Sequence, residues 1–313
     1  MILAGVDIGT NALRMLIAQV RREDGRPRLQ TIREARKITR LGEGIVDTGR
    51  LSEAAIQRSL AVLKGFRDEI AGHSVDRVLA VATSAVRESA NRESFLSRVR
   101  REAGFEVEVI SGEEEARRTL LGVRHGLSGD DRHFIVMDIG GGSTEFIVVT
   151  GGETASTTTV PVGVVKLTDR HLRSDPLSSG DREGLWAGVD SALRPALAGA
   201  GALGPHRFIG TAGTVTTLAA LELGLRVYES ARVQNFRLGR ARVEVWFDKL
   251  AAMTLRERRE VAGLEPGRED LIIPGAALLL SAMRILGKDE VTVSDFGLRE
   301  GVLIDFAERR LFR

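Results

Sequence analysis

The stretch Asp138-Ile139-Gly140-Gly141-Gly142-Ser143-Thr144-Glu145-Phe146 decides the fold, because a version of it occurs earlier in the chain as Asp7-Ile8-Gly9-Thr10-Asn11-Ala12-Leu13. In both places an apolar run ends in Asp-Ile-Gly, small polar residues follow, and a second apolar run begins at once. The first copy lies between residues 2–7 and 13–20, the second between 134–138 and 144–150. Strand, tight glycine turn, strand is the local structure that this pattern specifies. Two copies in one chain indicate a duplicated unit.

Outward from the first copy, residues 29–38 form a third β-like run. Ser52 reads as an N-cap, and Ile56, Leu60, Leu63 and Ile70 follow at helical spacing. A strand at 77–82, a helix near 91–103 and an alternating run at 106–110 complete the order βββαβαβ, an α/β layer with a mixed sheet. After the second copy come a strand at 154–162 and helices near 181–199, 213–223, 240–251, 254–262 and 268–286. A strand at 290–294 and a last helix at 298–311 close the chain. The halves divide near 118–133, through the loop Gly126–Asp131. The expected domains are 1–125 with the C-terminal helix from about 298 to 313, and 126–297.

Each glycine loop exposes successive backbone N–H groups, and such nests bind phosphate oxygens. Gly9, Thr10 and Asn11 form the first. Gly140, Gly141, Gly142, Ser143 and Thr144 form the second. A third, Gly210, Thr211 and Gly213, follows the apolar run 207–209 and opens a helix, whose N-terminus favours an anion. There is no Gly-x-x-x-x-Gly-Lys-Ser/Thr and no Gly-x-Gly-x-x-Gly between strand and helix, so P-loop and dinucleotide folds do not fit. One hairpin loop per half implies a phosphate chain held in an active-site cleft between two related domains. That is the duplicated actin-like, ribonuclease H-like ATPase arrangement.

Composition narrows the function. The 313 residues are 43% hydrophobic and 28% charged, which excludes wholesale disorder. No apolar run is long enough to span a membrane, and no basic leader precedes residues 1–6, so the expected location is the cytoplasm. The chain contains no cysteine, which removes thiolate catalysis, disulfides and Cys-ligated metals. Aromatics make up 4% and are not interleaved with basic runs, so nucleic acid is not an expected partner. Of 45 basic residues only Lys37, Lys64, Lys166, Lys249 and Lys288 are lysines, and an arginine-rich surface suits a polyanion. The five histidines are scattered without metal spacing and are expected at the surface.

Seven segments together resemble the exopolyphosphatase/guanosine pentaphosphate phosphohydrolase family: 7–18, 40–52, 82–89, 110–118, 138–146, 210–219 and 294–303. They read DIGTNALRMLIA, RLGEGIVDTGRLS, ATSAVRES, ISGEEEARR, DIGGGSTEF, GTAGTVTTLA and SDFGLREGVL. The chain resembles the short, two-domain form of that family. Ala12 stands where the family often has Ser, and Phe296 occupies a variable position.

Ser111 with Glu114 three residues on reads as a capping box, and glutamates in a first turn suit the helix dipole. That accounts for Glu114 and less well for Glu115. The resemblance implies that Glu115, directly before Ala-Arg, is the catalytic base, and that Arg87 pairs with phosphate. Lys166, just after Pro161-Val162-Gly163, is a further phosphate-binding candidate. Asp138 and Glu145, at the strand ends of the second loop, and Asp7 at the first, are hard oxygen ligands suited to Mg²⁺ as cofactor. The expected activity is therefore release of terminal orthophosphate from inorganic polyphosphate by water attack. Hydrolysis of guanosine pentaphosphate, an actin-fold kinase and a non-catalytic nucleotide sensor are the alternatives, and a homodimer is among the expectations.

Overall fold

A computed structural model describes residues 1–129, 132–199 and 206–311. Asp130 and Asp131 of the expected boundary loop, and residues 312–313 of the expected last helix, lie outside the described residues. The chain divides into two compact units, Met1–His125 with Phe296–Arg313, and Gly126–Asp295.

The first unit opens with β1 (Ile2–Ile8), β2 (Ala12–Glu23) and β3 (Arg26–Ile38), then the single turn α1 (Ile45–Thr48) and α2 (Glu53–Ala71). Next come β4 (Arg77–Ala82), α3 (Ser84–Glu88), α4 (Arg92–Arg98) running into a π-helical turn to Ala103, β5 (Val107–Val109) and α5 (Gly112–Gly126). The sheet order is β3-β2-β1-β4-β5. β2 runs antiparallel to β1 and β3, while β4 is parallel to β1 and β5. Ser52 caps α2 by accepting from the Ala55 amide at 3.2 Å. Leu60, Leu63 and Phe66 of α2 bury themselves with Val6, Ile8, Met15 and Ile17 of the sheet.

The second unit repeats this plan. It contains β6 (Phe134–Ile139), β7 (Thr144–Thr150), β8 (Glu153–Val160), α6 (Val164–His171), α7 (Ser179–Ala196) and β9 (Arg207–Thr211). There follow α8 (Ala212–Glu222), α9 (Ser230–Val233), β10 (Arg237–Gly239), α10 (Arg240–Ala251), α11 (Leu255–Arg259), α12 (Ile272–Ile285) and β11 (Glu290–Val293). The sheet order is β10-β11-β9-β6-β7-β8. Without the short edge strand β10, this is the first unit's order, with the second strand again antiparallel to its neighbours. The duplicated actin-like layout expected from the two glycine hairpins is therefore present. α8 and α12 are buried along nearly their whole length, which explains why their apolar residues show no preferred face.

The chain then returns to the first unit as α13 (Leu298–Leu311). Leu303 and Ala307 of this helix cover Leu3, Leu16, Ala18 and Val20 on the sheet face opposite α2. The approach is close: a Cβ on Gly5 would lie 3.2 Å from the Leu303 side chain and 3.3 Å from the Arg299 carbonyl.

Three expectations need correction. Residues 164–171 form a helix that sequence periodicity did not reveal, because its two turns open with Val164-Val165 directly after an apolar strand. α12 starts at Ile272 rather than 268, with Pro274 in its first turn, where a missing N–H costs no helical bond. Two histidines are not surface residues. His206 is buried beside Thr150 at 3.0 Å, and the His125 ring stands edge-on to Phe296, a pairing that burial favours by keeping the imidazole pKa low.

Candidate active site

The first loop is made by closing a hairpin. The Gly9 amide donates to the Ala12 carbonyl at 3.2 Å, and a Cβ on Gly9 would lie 2.9 Å from that oxygen. The carbonyls of the loop point toward a neighbouring segment. Gly42 donates to Thr10 at 2.9 Å, and Thr39 and Arg40 donate to Asn11 at 3.0 and 2.8 Å. Gly42 must be small here, since a Cβ would sit 2.3 Å from the Thr10 methyl. With their carbonyls engaged, the Thr10 and Asn11 amides meet no protein acceptor among the described residues. Both side-chain amide atoms of Asn11 are buried without a partner. A buried polar group left in that state calls for a polar ligand.

The second loop uses the same device. The Gly140 amide donates to the Ser143 carbonyl at 3.0 Å. Val164 and Val165, at the start of α6, donate to Gly140 and Gly141 at 3.1 and 2.9 Å. These are first-turn amides with no acceptor inside their own helix, so the contact satisfies both sides. Gly163 lies so close that a Cβ would be 2.5 Å from the Gly141 carbonyl carbon. The amides of Gly141, Gly142 and Ser143 meet no protein acceptor among the described residues. The Thr144 hydroxyl donates to the Val162 carbonyl at 2.7 Å, which commits its proton to the hairpin. Lys166, also buried, donates to Pro161 at 3.3 Å from the same helix.

The loop glycines 9, 140, 141 and 142 are not among the residues with positive φ. Gly9 and Gly140 serve close approach instead, a Cβ on Gly140 lying 2.8 Å from the Ser143 carbonyl oxygen.

β6 and β9 are neighbours, with Asp138 opposite Thr211, so the second and third loops leave the sheet side by side. Ala212 occupies the left-handed region at φ 67°, where a Cβ is strained, and α8 starts there. The guanidinium of buried Arg268 lies on Gly213, whose Cβ would be 1.7 Å from an arginine nitrogen. Arg268 Nε donates to Glu265 at 2.8 Å. A cation on a helix N-terminus is unfavourable alone and becomes favourable when both face an anion. Sequence reading missed Arg268, because nothing local connects it to Gly213.

Asp138 and Glu145 are direct cross-strand partners, and both are buried. Like charges directly opposite each other destabilise a sheet, so this pair suits a bound cation. Among the described residues no group of three or more His, Asp or Glu gathers as a metal cage. Mg²⁺ needs only one or two carboxylates, since it keeps most of its waters. The residues present fit it. Asp7, also buried, stands opposite Arg14 in the first unit.

Glu115 lies in the first turns of α5 and is 9% exposed, in contrast to exposed Glu113. Arg87 Nη1 donates to the Ile110 carbonyl at 2.8 Å and to Glu115 Oε2 at 3.1 Å. Arg87 is carried by α3, whose Ala85 amide donates to the Thr10 hydroxyl at 3.2 Å. The first loop, Arg87 and Glu115 are thus linked within one unit. The capping box is only half formed. The Ser111 hydroxyl accepts from the Glu114 amide at 3.1 Å, but the Glu114 carboxylate turns to Arg117 and Arg118 instead of the cap. Hydrogen bonding from Arg117 lowers the Glu114 pKa to about 2, against the cost of burial.

A family model described as the Ppx/GppA phosphatase family matches residues 16–310. Exopolyphosphatase 2 of Mycobacterium tuberculosis is 34% identical over 313 residues, covering 97% of this chain and 98% of that protein. Guanosine-5'-triphosphate,3'-diphosphate pyrophosphatase of Vibrio atlanticus is 29% identical, and the match covers 97% of this chain but 59% of that protein. Among solved structures, a Ppx/GppA family member from Aquifex aeolicus superimposes with a TM-score of 0.80 at 34% identity, covering 99% of each chain. An exopolyphosphatase from Cytophaga hutchinsonii gives 0.90 at 30% identity, covering 100% of this chain and 99% of that one.

Proposed function

The chain belongs to the Ppx/GppA phosphatase family, and on that premise we propose that it hydrolyses the terminal phosphoanhydride bond of inorganic polyphosphate, releasing orthophosphate. The observation that carries this reading is the buried Glu115 carboxylate held by Arg87, whose helix α3 is tied through the Ala85 amide to Thr10 of a loop with unengaged amides. Hydrolysis of a phosphoanhydride asks for three things: a group that orients water and takes its proton, donors for the phosphoryl oxygens, and compensation of charge. Glu115 is the base. Arg87 fixes the carboxylate orientation and places positive charge beside it. In the first unit the Thr10 and Asn11 amides, with the Asn11 side chain, are donors for phosphate oxygens; in the second unit the Gly141, Gly142 and Ser143 amides, Lys166 and Arg268 are. Asp138 and Glu145 would hold Mg²⁺, which when bound offsets phosphate charge.

Polyphosphate is put before guanosine pentaphosphate because the exopolyphosphatase relative is 34% identical to this chain and the guanosine pyrophosphatase 29%. A cytoplasmic setting belongs to the proposal, and no helix among the described residues is long and apolar enough to cross a membrane. The test measures orthophosphate release from long polyphosphate, guanosine pentaphosphate and ATP in parallel. Fastest release from polyphosphate is expected. Faster release from guanosine pentaphosphate would reassign the substrate, and transfer of the ATP γ-phosphate to a sugar would reassign the reaction class to a kinase.

A further inference from the structure

We propose that Asp305, on the C-terminal helix α13, is a positioning residue for Glu115, acting through Arg117, Arg118 and Glu114. The inference rests on the hydrolase reading and extends it to a residue far from Glu115 in sequence.

Glu115 points where the start of α5 directs it, so whatever fixes that turn fixes the carboxylate. Further along, α5 meets α13 backbone to backbone. A Cβ on Gly301 would lie 1.7 Å from the Arg118 carbonyl, and one on Gly122 would lie 1.9 Å from the Gly297 carbonyl. This contact sets where the two helices cross, while the Ser111 cap and Arg87 hold the first turn on the side of Glu115.

On the side of Glu114 the first turn is held by charge. Asp305 is buried and accepts from Arg117 at 2.7 Å and Arg309 at 2.9 Å, with Arg118 at 3.6 Å. Glu114 accepts from Arg117 at 2.8 Å and from Arg118 at 2.7 Å. Arg118, also buried, forms a two-pronged pair with Glu108 of β5 at 2.8 and 2.9 Å. Three elements are thereby joined around the residue immediately before Glu115. Packing shares this job on one side, where Ile110 meets Val81, Leu298 and Val302, but beside Arg118 and Asp305 an open cleft of about 350 Å³, walled by Leu79, Val81, Val302 and Phe306, leaves the ion pairs as the contact between the elements. In this network only Arg118 and Asp305 are buried, so its net contribution to stability is small, and its proposed role is to select one geometry of the turn. Small errors in the placement of a reacting group are costly to rate.

The experiment compares wild type, Asp305→Asn, Glu114→Gln and the double variant, with kcat, KM and Tm measured for each. Glu34→Gln is the control, since it breaks the 3.1 Å ion pair between Glu34 of β3 and Arg299 of the same helix α13, away from the network. Asp305→Asn should lower kcat about tenfold while KM stays within about a factor of two. The double variant should be no worse than the poorer single one, because both remove the same brace. Glu34→Gln should leave kcat unchanged. A lower Tm with unchanged kcat in Asp305→Asn would make the network purely structural and overturn the proposal. If Asp305→Asn does not fold, Arg117→Gln carries the test at a more exposed position, with the same loss in kcat alone expected and an unchanged kcat overturning it. Amide exchange over residues 112–118, measured without substrate, separates this inference from the hydrolase reading. Faster exchange in Asp305→Asn supports the brace and equal exchange overturns it. Absence of orthophosphate release by wild type from every substrate would sink the reading instead.

Discussion

Replacing Glu115 by Gln keeps the side chain's shape and its contact with Arg87 while removing the site that takes a proton. Turnover should fall by about two to four orders of magnitude with KM and the circular dichroism spectrum little changed. Exposed Glu113 is the matching control, and Glu113→Gln should retain nearly full rate. Glu114 cannot serve as that control, because its carboxylate belongs to the arginine network. Its low pKa also makes a pH prediction. A carboxylate whose folded pKa lies below its unfolded value adds stability that is complete above the unfolded pKa and is lost as pH falls toward the folded one. Tm should therefore drop between about pH 4.5 and pH 2, and this acid limb should be shallower in Glu114→Gln. At this scale the sequence was only partly legible. Glu115 and Arg87 could be named as candidates because the segments that carry the family resemblance there are short and local. Arg268 was not, since its relation to Gly213 exists only after α8 and the turn before α12 have packed.

Glycines at element junctions separate two roles that look alike in sequence. Gly163→Ala would drive a Cβ to within 2.5 Å of the Gly141 backbone, pushing the start of α6 off the second loop. The expected result is a loss of about 1–3 kcal/mol in denaturant unfolding, together with weaker phosphate binding by the native fraction. Gly65, inside α2, has open space where its Cβ would be, and Gly65→Ala should stabilise by roughly 0.5–1 kcal/mol without effect on activity. If both substitutions gave the same sign, the close approach of α6 to the loop would be wrong. The hairpins were readable because each joins two apolar runs through glycine. The segments that grip their carbonyls, 39–42 and 163–165, were not, because backbone-to-backbone support leaves no side-chain pattern.

For the whole molecule, the repeated strand order was legible from one pair of motifs, since strand–loop–strand units of the same kind impose the same pairing. What the sequence could not display is the face that α13 covers. A chain ending at Asp295 would leave Leu3, Leu16, Ala18 and Val20 without Leu303 and Ala307. Limited proteolysis of such a chain should spare the unit at 126–295 and degrade residues 1–125; survival of both would contradict the packing described for α13. The return of α13 also imposes an order in time. On the ribosome, every strand of the first sheet emerges before the second unit has begun, yet the helix that seals that sheet is made only after the second unit. The second unit, continuous in sequence, can complete itself while the first still waits with an oily face open. Domains that fold during synthesis usually do so from the N-terminus onward. Here the unit that is started first is completed after the second, so its apolar face stays uncovered throughout the synthesis of residues 126–295.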